Sequence, residues 1–243
     1  MPSEYNSGES EDIAVSRGAQ TAEMQSTAMS PLTEDEALAQ LKQPDVSVDA
    51  LEQLSKNSVA MKSRKVKLAL AGHPRTPRHV SLPMVRHFFT FDLMQLALTP
   101  VVPADVKKAT EDALIHRLEM ISSGERLTLA RRASGRVAGE LLLDAESRVM
   151  LAALENSRLT EAPIIKALMQ WNASPALVHA VCHHVKWSLR REVRIALLRS
   201  PHTPMAKAVE FARGVPIPLL REILQNSRLP QDVKAYLLRE LKS

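Results

Sequence analysis

The sequence predicts an all-α protein, an α-solenoid of short helical hairpins, and three observations carry that prediction. The first is internal duplication: residues 66–77 read VKLALAGHPRTP and residues 193–204 read VRIALLRSPHTP, an offset of 127. The same offset lays residues 93–107 on 220–234, so that Pro103, Asp105, Val106 and Lys107 fall on Pro230, Asp232, Val233 and Lys234. The second is a shorter period of 26, which sets Pro74 and Pro77 on Pro100 and Pro103 and carries Ser200 onto Asn226. Periods of this kind mark stacked repeats, because one unit cannot bury its apolar face without a neighbour. The third is composition. Apolar residues make up 45% of the 243 residues but aromatics only 3%. Aliphatics such as Leu, Ala and Val suit close helix packing, and the shortage of aromatics argues against a β-sandwich.

The elements follow in order. Residues 1–32 form an acidic N-terminal tail, rich in Ser, Glu, Gln, Thr and Gly, which is expected to be disordered because it holds too little apolar surface to offset ordering entropy. The repeat domain is expected over 33–243. Its first helix starts either with Ser30 as cap and Pro31 at the first helical position, or with Thr33 opening a box that Glu36 closes. Apolar residues from Leu38 to Leu54 predict two short helices broken at Gln43–Pro44–Asp45. Residues 66–71 predict a short, nearly all-apolar helix that stops at Gly72–His73–Pro74. Thr76 then caps a second helix, with Pro77 as its first residue. Residues 193–204 repeat this logic. Further copies of the first helix lie at 149–160 and, more weakly, at 126–137, whereas 175–192 fit the spacing poorly and are read as an irregular unit. For 78–91, with Pro83, Phe88, Phe89 and Phe91, a regular and a bent second helix both stay open. The phenylalanines are either an apolar contact patch or, the favoured reading, buried packing.

The turn pattern of residues 66–77 and 193–204 resembles the V-R-x-A-x-A-x-N-P-x-T-P units of the leucine-rich repeat variant family. The body as a whole, roughly residues 60–243, is similar to the broader HEAT-like repeat group. The resemblance implies a right-handed stack of helices and a binding or scaffold role, with no reaction attached. The iron–sulfur cluster known beside such repeats is not carried over, because Cys182 is the chain's one cysteine.

Composition excludes several classes. A single cysteine rules out an intramolecular disulfide and a zinc ribbon, and it points to a reducing cytoplasm. The opening MPSEYNSGES lacks the basic and apolar regions of a secretory signal. No apolar stretch approaches the ~18–20 residues of a membrane span. There is no P-loop, no G-x-S-x-G and no H-E-x-x-H. Pairs such as His116 with Glu119 read as helix-surface contacts, and Asp144, the one conceivable glycosylase-type carboxylate, has no motif around it. The chain is therefore not expected to be an enzyme, and no cofactor is expected.

Charge is uneven. Residues 1–36 carry one basic residue, Arg17, against eight acidic ones, while residues 37–243 carry 31 Lys and Arg against 19 Asp and Glu. A basic body seeks an acidic partner, is loosely screened by its own tail, or is merely soluble. The candidate contacts are Arg131, Arg132, Arg136, Lys186, Trp187, Arg190, Arg191 and Arg194. Arg190 and Arg194 at i, i+4 would form a stripe, with Trp187 on nearly the same face able to stack a base; the alternative is a solvated face with Trp171 and Trp187 as packing residues. Lys62, Arg64, Lys65 and Lys67 form a second basic run. His179, Cys182 and His183 share a helical face, with His184 about 100° further round, and could hold zinc if His202 or Glu210 supplied a fourth ligand. Packing is the competing reading, and no metal is assigned. The functional expectation is a non-catalytic binding or scaffold protein that engages an acidic protein partner. The alternative is a nucleic-acid binder using a basic face. The acidic tail is further expected to occupy the binding face in the free protein.

Overall fold

The computed structural model describes residues 32–240, which are all-helical with no strand among them. The expected tail and its self-inhibition lie outside the described residues. The helices are α1 (Glu34–Leu41), α2 (Val48–Lys56), a 3-10 turn (Ala60–Lys62), α3 (Arg64–Gly72), α4 (Arg78–Val85), α5 (Thr90–Leu98), α6 (Ala104–Arg117), α7 (Ser123–Arg132) and α8 (Gly135–Leu141). They continue with α9 (Ser147–Leu154), α10 (Glu161–Met169), α11 (Pro175–His183), α12 (Arg191–Arg199), α13 (Met205–Ala212), α14 (Ile217–Gln225) and α15 (Gln231–Glu240).

Most helices pack on the next but one along the chain. One row runs α1, α3, α5, α7, α9, α11, and α13 packs on α15 in the same alternation; the other row runs α4, α6, α8, α10, α12, α14. This is the stacking a repeat needs, since eight- or nine-residue helices are too short to hold in water without neighbours. The core is continuous from Ala71 to Leu237 and is mostly Leu, Val and Ala, with Trp187 and Phe211 its largest buried side chains. A second cluster, from Ala37 to Leu70, joins it where Met84 packs against both.

Local chemistry sets the helix starts. At α1 the Thr33–Glu36 box is the one formed: Thr33 N–H donates to Glu36 Oε2 at 2.8 Å and Glu36 N–H to Thr33 Oγ1 at 3.4 Å. Ser47, Ser63, Ser122, Ser134 and Ser174 cap α2, α3, α7, α8 and α11. The expected Thr–Pro start is corrected. Pro77 and Pro204 are themselves the N-caps, in extended backbone, and neither threonine caps its helix. The reason is a competing acceptor. Thr76 Oγ1 donates to Leu70 O at 2.7 Å and Thr203 Oγ1 to Leu197 O at 2.6 Å, both buried. Helix α4 runs two residues past Pro83 and stops at Val85.

The duplicated segments adopt the same conformation. Helices α3 and α12 each have nine residues and end in extended C-caps, His73 and Ser200. Each cap side chain accepts from the N–H two residues on, at 3.2 Å for His73 and 3.4 Å for Ser200. Asn156 and His184 do the same at 2.8 and 3.1 Å. The turn side chains also tie rung to rung. His73 Nε2 lies 3.2 Å from Gln43 O, and Asn156 Nδ2 donates to Ala130 O at 2.7 Å. One thing differs: α3 belongs to the first row and its copy α12 to the second. The shift comes from the irregular unit. Helix α11 is followed by a turn at 184–190 instead of a second helix, so α12 takes the place that a second helix would fill.

Ion pairs cross most steps of both rows. Arg64–Asp92 links α3 to α5, Arg78–Asp105 links α4 to α6, Arg136–Asp112 links α6 to α8 at 2.5 Å, and Lys166–Glu140 links α8 to α10 at 2.5 Å. Arg190 reaches Glu161 at 3.5 Å between α10 and α12. Exposed pairs contribute little stability, ~0–1 kcal/mol each, so their main effect is to set which residue faces which.

Candidate functional site

Helices α1, α3 and α5 form a groove of about 900 Å³. Its α3 wall is Arg64, Lys65, Leu68, Ala69 and Gly72, and its α5 wall is Asp92, Gln95, Leu96 and Thr99. Both sets follow i, i+3, i+4 spacing, so each is one helical face. The two helices run parallel, with Arg64 meeting Asp92 at one end and Gly72 meeting Leu96 at the other. Ala69 gives the groove its depth, because its side chain stops at one carbon. At Gly72 the helices close on each other: a Cβ there would stand 3.0 Å from Leu96 and 3.3 Å from Val102. The rim carries Val101, 65% exposed, with Lys42 and Lys65. Lys65 pairs with Glu34 at 3.6 Å.

A smaller cavity of about 260 Å³ opens on the other side of the Arg64–Asp92 pair, lined by Met61, Lys62, Lys67, Met84, His87, Phe88 and Phe89 as well as by the pair itself. Arg64 donates to both Asp92 oxygens, at 2.7 and 2.6 Å, and its guanidinium lies 5.0 Å from the centre of the Phe89 ring. The bidentate bond to Asp92 raises the Arg64 pKa further above its ordinary value. Asp92 is buried and also accepts from the Phe89 N–H at 3.3 Å. The phenylalanine patch therefore divides: Phe88 is core, while Phe89 and Phe91 are 67% and 44% exposed.

The residues singled out by sequence do not converge. Trp187 is buried, in the turn and not on a helix, and its indole N–H donates to Leu154 O at 3.0 Å. It cannot stack a base. Its place, three residues past the C-cap, matches Thr76 and Thr203, but their hydroxyls bond back to their own helix whereas the indole reaches across to α9. Lys186 lies over its ring at 3.9 Å. The Arg190–Arg194 stripe does not form. Arg190 is the N-cap of α12 and turns to Glu161, while Arg194 donates to Ser188 O at 2.6 Å and covers Phe211 at 5.3 Å. Arg136 is taken by Asp112 and Glu111. Arg131, Arg132 and Arg191 are exposed. Trp171 reverses the packing expectation and is 89% exposed.

The metal candidate comes apart in the same way. Cys182 is fully buried, and burial pushes its thiol up to about 11, whereas His179 and His183 face solvent. His183 Nδ1 lies 2.9 Å from His179 O. His184 is the C-cap of α11, off the helix, and Glu210 pairs with Lys207 at 2.8 Å. Among the described residues no three His, Cys, Asp or Glu side chains stand ready for an ion. Asp144 is held by Arg126 at 2.7 Å and accepts from Glu146 N–H, so it serves the α7–α9 junction. No described helix is long and apolar enough to cross a membrane.

The groove was signalled in sequence by something simpler than a stripe. Residues 53–91 hold eight Lys and Arg and no Asp or Glu. Comparison with family models, with curated proteins and with solved structures finds no match to this chain.

Proposed function

We propose that this chain is a non-catalytic binding protein of the α-solenoid type whose α1–α3–α5 groove takes up a segment of an acidic protein partner. The observation that carries the proposal is the groove itself: some 900 Å³ along the whole of α3, floored by small and apolar residues and bordered by a stretch without a carboxylate from 53 to 91. An apolar floor between parallel helices is the setting in which peptide segments lay down an apolar face. Repeat stacks commonly present such surfaces. The reading is tested by selecting binders to the full chain from a random 12-residue peptide library. Enrichment of Asp and Glu interspersed with Leu, Ile or Phe is expected, and Ala69→Glu, which drives a charged side chain into the groove, should abolish recovery at a temperature where its melting curve shows it still folded. Equal recovery on wild type and Ala69→Glu would overturn it.

Polyanion binding is the second reading. Exposed Lys62, Arg75 and Arg86 favour it, since none of them has an ion-pair partner among the described residues. It requires a steep salt dependence, a log–log slope of roughly −0.7 to −0.9 per phosphate contacted.

A further inference from the structure

We propose that the 260 Å³ cavity beside Phe89 is an anchor pocket for one large apolar side chain of that acidic segment, with carboxylates beside the anchor engaging Lys62 and Lys67. This rests on the peptide-binding reading of the adjoining groove and adds what the peptide must carry.

Size comes first. Pockets that enclose drug-sized ligands run from about 300 to 1,000 Å³; this cavity, at about 260 Å³, falls below them and matches a single side chain. Its walls are adaptable. Met61 and Met84 contribute unbranched thioethers that reshape around different guests. The exposed Phe89 ring offers an edge or a face to an aromatic or aliphatic neighbour. The ring is also held in place. Arg64 lies over it, Asp92 fixes Arg64 by two hydrogen bonds, and Asp92 accepts from Phe89's own N–H. A wall already ordered costs less entropy when a ligand arrives.

Charge comes second. Lys62, Arg64, Lys67 and His87 surround the opening, and Asp92 is the only carboxylate in the lining. Asp92 is spent on Arg64, so Lys62 and Lys67 remain for an incoming anion. Continuity then chooses the class of ligand. Arg64 and Asp92 line both the cavity and the groove, so one chain can pass from one to the other. In the groove Arg64 and Lys65 are already paired, Lys42 on the rim is the one Lys or Arg of the lining without an ion pair among the described residues, and the floor is apolar. A nucleic-acid backbone needs cations along its track. A peptide with apolar residues on one side and carboxylates near its anchor satisfies both halves.

The test uses the full chain and a fluorescein-labelled dodecapeptide of glutamate pairs separated by leucines, with one central phenylalanine, read by fluorescence anisotropy. Replacing that phenylalanine by alanine in the peptide should weaken binding ~10-fold, within the loss expected for a buried anchor. Phe89→Ala and the double change Lys62→Glu with Lys67→Glu should each do the same. All three positions are at least partly solvent-exposed, so unchanged thermal melting is expected of these variants. If the alanine peptide binds as tightly as its parent while Ala69→Glu still abolishes binding, the anchor is wrong and the groove stands. If no peptide binds and a dT12 oligonucleotide does, with loss on the Lys62→Glu, Lys67→Glu double variant, both the anchor and the peptide reading fall.

Discussion

If the two copies of the repeat are physically equivalent, removing the same atom from each must cost the same. Thr76→Val and Thr203→Val delete one hydroxyl apiece and keep the branched shape. Each hydroxyl donates to a buried carbonyl, Leu70 O at 2.7 Å and Leu197 O at 2.6 Å. A neutral buried hydrogen bond contributes about 0.5–1.5 kcal/mol, and stranding its partner adds a desolvation cost. Here the partner is not stranded. Leu70 O also accepts from His73 N–H, and Leu197 O from Ser200 N–H. The second term is therefore small, and each variant should lose about 1 kcal/mol. In a domain of this size that is a Tm drop of about 2–4 °C. Thr99→Val is the control: its hydroxyl donates to Gln95 O at 2.8 Å on an exposed helix end, where water replaces it. It should cost under about 0.5 kcal/mol, the ordinary range for a surface change. The double variant Thr76→Val with Thr203→Val should show the sum within about 0.5 kcal/mol, because the copies share no partner. Urea unfolding followed by the fluorescence of buried Trp187 reads all four. A normal loss at Thr76 with none at Thr203 would refute the equivalence, and with it the claim that turn chemistry repeats along the stack.

Four further outcomes follow from the same geometry. Trp187→Phe keeps most of the ring but loses the N–H bond to Leu154 O, a cost of about 1–2 kcal/mol, while Trp187→Ala opens a cavity and should cost about 3–5 kcal/mol by urea titration. Cys182 should resist iodoacetamide at pH 8, because burial holds its pKa near 11 and the thiol stays protonated, and it should react fully in urea; fast alkylation of the native chain would contradict its burial. Gly135→Ala should lower Tm markedly, since the new Cβ would stand 2.2 Å from Arg158 O and force α8 away from the turn after α9. Acid should weaken the fold. Glu36 and Glu125 are held below their ordinary 4.5 by the backbone N–H of Thr33 and of Ser122, and Glu146 by the Ser123 hydroxyl. Their folded values lie below the unfolded ones, so their contribution is complete above about pH 4.5 and drains as pH falls through the folded values. Glu36→Gln with Glu125→Gln should flatten that acid limb in a pH series of melts.

The architecture was largely legible in sequence, because it is written in local rules. The capping pairs and the Pro-terminated helices involve residues within one turn of each other, and the 127-residue echo shows the same local pattern written twice. What sequence misplaced was non-local. Thr76 reads as a cap until the buried Leu70 carbonyl competes for its hydroxyl. Arg190 and Arg194 read as one stripe until Glu161 and Ser188 O draw them apart. Of the two tryptophans read as packing residues in the alternative to base stacking, Trp187 packs and Trp171 does not; the burial of Trp187 depends on the irregular turn after α11, which nothing in the local pattern foretells. The groove was the hardest to see: Ala69 looks like a core residue in a helix pattern and Gly72 like a helix stop, and only the neighbouring α1 and α5 turn the smallness of Ala69 into open space.

The ion pairs make the basic charge of the body unevenly available along the stack. Through the middle of the stack, step after step spends an arginine or lysine on a carboxylate of the neighbouring rung: Arg126 on Asp144 and Glu146, Arg136 on Asp112, Lys166 on Glu140, Arg190 on Glu161. Such pairs add nothing to the net charge and leave little free charge at those steps, although Arg131, Arg132 and Arg191 stay exposed and outside any ion pair among the described residues. Between Glu52 and Asp92 the sequence supplies cations but no carboxylate, and partners must come from outside that span, as Asp92 does for Arg64 and Asp105 for Arg78. Unpaired cations therefore gather around α3 and α4, beside the groove between α1, α3 and α5. A partner of the proposed kind, steered by charge, would arrive where there is also apolar surface to bury. Reversing Lys62 and Lys67 should accordingly slow association more than it speeds dissociation, whereas Phe89→Ala should do the opposite, and stopped-flow kinetics on the same labelled peptide separates the two.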